Sequence, residues 1–349
     1  MLKAQYARYI LDFKSLARTS REIMSQKETF FIKVWDDENP EVFGLGECAL
    51  FRGLSSDDRP DFEAKLSDVC QSPGSYGIEE LKDFPSIVFG LETALLDLKN
   101  GGRRLIFPGE WPDGRMEIPI NGLVWMGSVE QMKDRLDEKI SAGFRCVKFK
   151  VGGEDFEREV ALLEQVRTLY SPDVLEIRVD ANGAFSPDEA LPKIERLSKL
   201  SIHSIEQPVR QGQIELMGEI CRLSPIPVAL DEELIGVNDP EAKFKLLSTI
   251  KPAYIILKPA LCGGFSGAAE WISIGQLLDI GWWATSALES NVGLNAIAQW
   301  VATYSPALPQ GLGTGQLYTN NIPSPICQTG EVLKYDVNKH WIIPELSWQ

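Results

Sequence analysis

Four short strand-like runs in the middle of this chain each end on an ionisable residue, at an interval that repeats. Ile177-Arg178-Val179 leads to Asp180, Ser204-Ile205 to Glu206, Val228-Ala229-Leu230 to Asp231, and Ile255-Ile256-Leu257 to Lys258. The spacings are 26, 25 and 27 residues. Each is one strand–helix unit, which brings the four side chains to one level on adjacent strands. Three carboxylates gathered in this way repel one another and lose hydration unless a cation neutralises them. A hard ion with oxygen ligands, Mg²⁺ above all, answers that need. One such acid alone would read as a helix cap or the partner of a surface lysine. Three in regular succession make a shared site the stronger reading. Alternation puts Asp231 and Glu233 on one strand face and Glu232 on the other, which favours Asp231 as the ligand.

One unit earlier, Val147-Lys148-Phe149-Lys150-Val151 carries two lysines that period 2 sends to the same face. On an open sheet they would be edge lysines, but a barrel has no edge. Lys258 closes the opposing strand; alone it would read as a snorkelling lysine. Neighbouring lysines and a divalent cation lower a lysine pKa and make a neutral base available near pH 7. A metal flanked by two amines suits removal of a proton next to a carboxylate, where the enediolate spreads negative charge over adjacent oxygens.

The elements needed to position these groups are legible as a repeat. Strands are expected at 118–125, 145–151, 175–181, 202–206, 226–231, 253–258, 281–286 and near 311–315. Helical stretches such as 128–142, 156–169, 187–197 and 213–223 lie between them. Eight strands alternating with helices fit a parallel α/β barrel. A doubly wound sheet would need a dinucleotide or phosphate loop, and no G-x-G-x-x-G follows an early strand. The glycine-rich Gly311-Leu312-Gly313-Thr314-Gly315 reads as close backbone approach at the last strand. Before the barrel, residues 4–13, 29–35 and 41–47 read as strands, 14–27 as a mobile loop and 85–98 as a helix opened by Pro85. The expected domains are an α+β cap at 1–115, the barrel at 116–316, and a tail at 317–349 returning to the cap, with strand-like runs at 332–335 and 341–344.

Composition excludes other classes. With 44% apolar residues the chain can build a sizeable core. The net charge of −15 argues against a nucleic-acid partner, but not against an anionic small molecule, since a metal and lysines invert the field locally. No apolar run is long enough for a membrane span and none near the start resembles a secretion signal, so a cytoplasmic protein is expected. The six scattered cysteines lack C-x-x-C spacing and read as buried reduced thiols.

Lys148-Phe149-Lys150, Asp180-Ala181-Asn182, Glu206-Gln207-Pro208, Asp231-Glu232 and Lys258, in this order and spacing, resemble the enolase superfamily, specifically its muconate-lactonising-like subgroup. Ala94-Leu95-Leu96-Asp97-Leu98 is similar to the pattern preceding that family's barrel. The resemblance implies a modified (β/α)₇β TIM-like barrel with an α+β capping domain formed by both chain ends. It implies Asp180, Glu206 and Asp231 as ligands of Mg²⁺, with Mn²⁺ able to substitute. Lys150 becomes the base, Lys148 its electrostatic neighbour and Lys258 the opposing lysine, acting on a small-molecule carboxylate. A silent metal-binding scaffold would be expected to lack one of these groups, and none is missing.

Histidine-base branches need a histidine after a late strand. His203 faces away from Glu206 by alternation and His340 lies in the tail. Within the lysine branch, dipeptide epimerases carry an Asp-x-Asp at the eighth strand, whereas 313–321 here has no acid. Muconate cycloisomerases and acylamino-acid racemases remain alternatives. The run from Gly311 to Asn321 resembles the branch, found in menaquinone-making bacteria, that dehydrates a hydroxylated cyclohexadiene carboxylate bearing a succinyl arm. In that setting Arg178 either orients Lys150 or the substrate, or forms a buried ion pair. Ser286 contacts the succinyl arm or caps a helix, Asn182 is a further substrate-contact candidate, and loops 14–27 and 50–59 cover the mouth. The sequence leaves the oligomeric state open.

Overall fold

Alternating polarity at the N-terminus builds an antiparallel sheet that roofs the rest of the molecule. The structure, a computed structural model, describes residues 1–18, 23–77, 79–124, 129–153 and 155–349. Strands β1 (Leu2–Arg18), β2 (Ile23–Asp36) and β3 (Asn39–Cys48) pair in order, followed by helices α1 (Phe62–Gln71) and α2 (Pro85–Lys99). Pro85 occupies the first turn of α2, where its missing N–H costs nothing. Helix α2 lies directly on β3: a Cβ at Gly46 would stand 1.9 Å from the Gly90 carbonyl oxygen. Asp97 on α2 accepts from the Leu45 and Arg104 amides and pairs with the Arg104 guanidinium, tying the sheet to the chain that enters the barrel.

The strands of the second unit are short: β4 (Ile118–Pro119) and β5 (Gly122–Val124), then β6 (Cys146–Lys150) after α3 (Val129–Ser141), and β7 (Glu176–Asp180) after α4 (Phe156–Leu169). Helix α5 (Pro187–Ser198) leads to β8 (Ser204–Glu206), α6 (Ile214–Leu223) to β9 (Val228–Leu230), and α7 (Pro240–Ile250) to β10 (Tyr254–Leu257). Helix α8 (Gly264–Leu277), β11 (Gly281–Ala284) and α9 (Asn291–Ala302) complete the series, and β12 (Ile326–Thr329) with β13 (Val332–Tyr335) ends it. Strands β5 to β11 form one parallel sheet in chain order. Residues 310 and 311 close it: Gln310 bridges Ile120 and Gly311 bridges Thr285, both in parallel. The molecule is therefore a TIM-like barrel with a separate antiparallel cap. Parallel strands buried on both faces explain the near-continuous apolar runs of β9 and β10, and the main core packs between strands and helices.

Four expectations are corrected. The presumed loop at 14–27 is mostly strand, because β1 continues to Arg18 and β2 begins at Ile23; residues 19–22 of that loop lie outside the described residues. The eighth strand is shorter than 311–315 and reduces to residues 310–311, with turns following. Ile118–Pro119 pairs antiparallel with β13 instead of joining the barrel; position 125 of the expected first strand and position 128 of the expected helix are outside the described residues. Residues 341–344 form no strand; they pack as side chains, Trp341 and Ile343 joining Leu346 and Trp348 against Phe31, Leu45, Val292 and Ile322. Gln349 exchanges backbone hydrogen bonds with Tyr6 at 2.8 and 3.2 Å.

All six thiols are free, with Cys48, Cys70, Cys146 and Cys262 buried and Cys221 and Cys327 half-buried. Among the described residues, no helix is long and apolar enough to cross a membrane.

Candidate active site

The carboxyl ends of the barrel strands converge as the register dictates. Lys150 stands opposite Asp180, and Asp180 opposite Glu206. Asp231 lies one residue beyond the end of β9 and Lys258 one beyond β10. The three acids are almost fully buried, at 0, 2 and 3% exposure for Asp180, Glu206 and Asp231. Lys148 Nζ donates to Glu206 at 2.8 Å and stands 3.1 Å from Asp180. Lys150 Nζ donates to Asp180 Oδ2 at 2.5 Å, and Lys258 Nζ donates to Asp231 Oδ1 at 2.6 Å.

The charges interlock. Burial and the nearby Asp180 carboxylate push Glu206 well above the usual carboxylate range despite Lys148. Burial also opposes ionisation of Asp180, but Lys150 and Lys148 outweigh it and hold its pKa far below the ordinary value. Burial lowers the pKa of Lys148 and of Lys258, yet their carboxylate partners reverse this and raise both above the free-lysine value. At Lys148 and Lys258 the paired acids thus outweigh the neighbouring lysines that were expected to lower a lysine pKa. Among the described residues no three acidic, histidine or cysteine groups close on one point as a metal cage; ammonium groups stand between the carboxylates.

These groups open into a cavity of about 360 Å³, lined by Lys148, Lys150, Asn182, Glu206, Asp231, Glu232 and Lys258. Phe51, Leu54, Ser286, Leu288, Thr314 and Leu317 also line it, as does Ser15 from the β1–β2 hairpin. Volume and mixed polarity suit a small molecule.

Several candidates sit differently from the strand-alternation reading. Glu232 faces the cleft and Glu233 turns away, the reverse of the expected pattern, because β9 stops at Leu230 and residues 232–234 form a 3₁₀ turn. Glu233 instead accepts from Gln207 Nε2 at 3.1 Å and from the Gly212 amide at 2.8 Å, bracing the loop after β8. Arg178 does not reach the cleft. It fills the barrel interior below, donating to Glu176 at 2.8 Å and to the Pro309 carbonyl at 2.9 Å over the Trp283 ring. This is the ion-pair reading of Arg178, with its Glu176 partner half-buried. Ser286 lines the cleft while donating to Glu289 and accepting from the Leu288 amide; the N-cap of α9 is Ser290. His203 stacks on Tyr254 away from the cleft. Glu232 and the apolar wall were missed in the sequence. For Glu232 the signal available was its place beyond the last apolar residue of the strand, where alternation no longer applies.

A parallel barrel that gathers three acids and three lysines at its strand ends, under a separate antiparallel cap, defines a class of enzymes that take a proton next to a carboxylate. The chain belongs to the family described as enolase C-terminal domain-like, whose model matches residues 131–333. It is similar to o-succinylbenzoate synthase of Desulfotalea psychrophila, at 43% identity over 95% of this chain and 98% of that one. The crystal structure of MenC from Desulfotalea psychrophila superposes with a TM-score of 0.83 at 41% identity, covering 95% of this chain and 99% of that chain. A dipeptide epimerase from Cytophaga hutchinsonii, complexed with Mg and a dipeptide, shares the fold with a TM-score of 0.79 at 18% identity over 96% and 93% of the two chains.

Proposed function

We propose that this chain is an o-succinylbenzoate synthase, a cytoplasmic lyase of menaquinone biosynthesis. It removes water from 2-succinyl-6-hydroxy-2,4-cyclohexadiene-1-carboxylate and leaves an aromatic ring. The observation that carries the reading is the placement of Lys150 and Lys258 in one cleft, each against an acid at the strand ends. It occurs in a chain related along nearly its whole length to an enzyme of that name.

Asp180, Glu206 and Asp231 would hold a divalent cation, Mg²⁺ or Mn²⁺ in its place. When bound, the cation supplies Lewis-acid stabilisation of charge developing on the substrate carboxylate. The donor set is all carboxylate oxygen, which suits a hard ion. The repulsion from Asp180 and Asp231 that helps push Glu206 up is the strain a cation relieves. Lys148 and Lys258 share these oxygens and must yield them.

Lys150, as free amine, takes the proton from the ring carbon bearing the carboxylate. The resulting ammonium then returns a proton to the adjacent hydroxyl, which departs as water. Lys258 and Lys148 set positive charge beside the electron-rich ring, where preorganised groups act most strongly. Phe51, Leu54 and Leu288 exclude water, and Ser286 would contact the succinyl arm by turning its hydroxyl from Glu289.

Incubation of the Mg²⁺-loaded protein with the cyclohexadiene substrate is expected to give an aromatic absorbance as the diene disappears. An unchanged spectrum, with epimerisation of a dipeptide instead, would overturn this reading. Adjacent menaquinone-pathway genes would support it independently.

A further inference from the structure

Lys150 makes a second contact that the mechanism above does not use. Its Nζ donates to Asn182 Oδ1 at 2.7 Å, and Asn182 Nδ2 donates in turn to Glu232 Oε1 at 2.9 Å. Asn182 holds a left-handed backbone with φ 43°, and its own amide donates to Asp180 Oδ1 at 2.9 Å. A side-chain amide can present either its oxygen or its NH₂ to a neighbour, and the two choices have opposite consequences for an amine. Glu232 removes the choice. Glu232 Oε1 accepts from the Asn182 NH₂, which leaves the amide oxygen to face Lys150. Glu232 is itself 6% exposed, and its Oε2 is buried without a hydrogen-bond partner. Among the described residues, Asn182 is the side chain that donates to it.

We infer that Glu232 is a positioning residue for the reaction: by fixing the Asn182 amide, it holds the Lys150 amine in one orientation toward the substrate. With an N–H of the amine directed at Asn182 Oδ1, the nitrogen lone pair is turned elsewhere, toward the cleft. Without Glu232 the amide is free to turn over and present N–H groups to the lone pair that must take the proton. The inference rests on the reading of Lys150 as the base. The alternative for the unpaired Oε2 is direct service to the cation beside Asp231.

The test is a double-mutant cycle in the Mg²⁺-loaded enzyme with Glu232→Gln, Asn182→Ala and both together. Glu232→Gln keeps the volume but adds a donor, so it is expected to lower kcat by about 10- to 100-fold while KM changes less than about threefold, as for a misaligned reacting group. Asn182→Ala is expected to cost a similar factor, and the double variant no more than the larger single, because the two residues act through one contact. Calorimetry is expected to show Mg²⁺ affinity nearly unchanged in Glu232→Gln, because the Glu232 side chain bonds to Asn182 and to none of the three proposed ligands. Multiplying losses, an unchanged kcat in Glu232→Gln, or a collapse of Mg²⁺ affinity would each overturn the inference. If Glu232→Gln does not fold, Asn182→Asp serves instead. It keeps an acceptor for Lys150 but is repelled by Glu232, and full activity there would overturn the inference equally. A parent enzyme that leaves the cyclohexadiene untouched would sink the functional reading itself.

Discussion

Lys150 and Asp231 make the sharpest opposite demands on this site. Lys150 lines the cleft and bonds to Asp180 and Asn182, so Lys150→Ala is expected to abolish turnover, a loss of at least about 10²- to 10⁴-fold for a general base. Mg²⁺ binding, measured by calorimetry, should largely survive; normal turnover would refute the assignment. Asp231→Asn should do the reverse at the level of binding, weakening Mg²⁺ by about 10-fold or more, since one anionic oxygen donor becomes neutral. Equal affinities in the two proteins would remove Asp231 from the ligand set. A third residue titrates in a usable range. Asp57 is wholly buried and accepts from the Ser86 amide and hydroxyl at 2.9 and 2.6 Å, while its Oδ1 has no partner. Burial pushes its pKa up to about 6 from an ordinary 3.8. Between these values the native state holds a proton that the unfolded chain has released, so stability falls as pH rises and levels off above about 6. The effect is at most about 3 kcal/mol. Asp57→Asn should flatten this slope in urea unfolding between pH 4 and 6.5; parallel profiles for the two proteins would contradict it.

At the scale of elements, the close seat of α2 on β3 depends on glycines facing backbone. Gly46→Ala would drive a methyl to 1.9 Å from the Gly90 carbonyl oxygen, a backbone atom that cannot rotate away. The expected cost is about 1–3 kcal/mol or more, read as a lowered Tm; an unchanged Tm would show that the helix can slide. The same scale separates what was legible from what was not. Strand ends at Asp180, Glu206, Asp231 and Lys258 were visible because a strand-like run ended by one charge marks where a parallel strand leaves the core. The side of Glu232 was not visible, because it depends on the backbone switching from extended to 3₁₀ immediately after Leu230. The β1–β2 hairpin was cut short in the sequence reading because residues 14–27 carry many charged and polar groups. Among the described residues of this span, Lys14, Ser15, Ser25 and Gln26 lie exposed on the strands while Lys27 is buried, and Glu28 just beyond it pairs with Arg8 and Arg52.

Across the whole molecule, cap and barrel are held together by contacts between the chain ends. Trp341, Ile343, Leu346 and Trp348 lie against Phe31 and Leu45 of the cap and Val292 of α9. Lys33 Nζ stands 4.7 Å from the Trp348 ring centroid. Deleting residues 341–349 is expected to cost roughly 4 kcal/mol, about 1 for each half-buried apolar side chain. A substantially lower Tm would be the sign, and an unaltered Tm would show that the cap holds without its tail. The cleft wall itself crosses this junction. Glu47 of β3 accepts from the Ser290 amide and hydroxyl at the start of α9, and Tyr318 donates to the Leu288 carbonyl.

By itself the sequence determined the repeat of strand and helix, the level at which the acids and lysines meet, and the family. The first two follow from periodicity and spacing along one strand at a time, which short-range physics sets; the family came from the resemblance of the motifs at those strand ends. Only the tertiary structure decided that Arg178 is consumed inside the barrel, that Glu232 enters the cleft, and that Phe51, Leu288 and Leu317 line it. Those outcomes depend on which distant surfaces compete for the same side chain, and a linear order of residues does not hold that information.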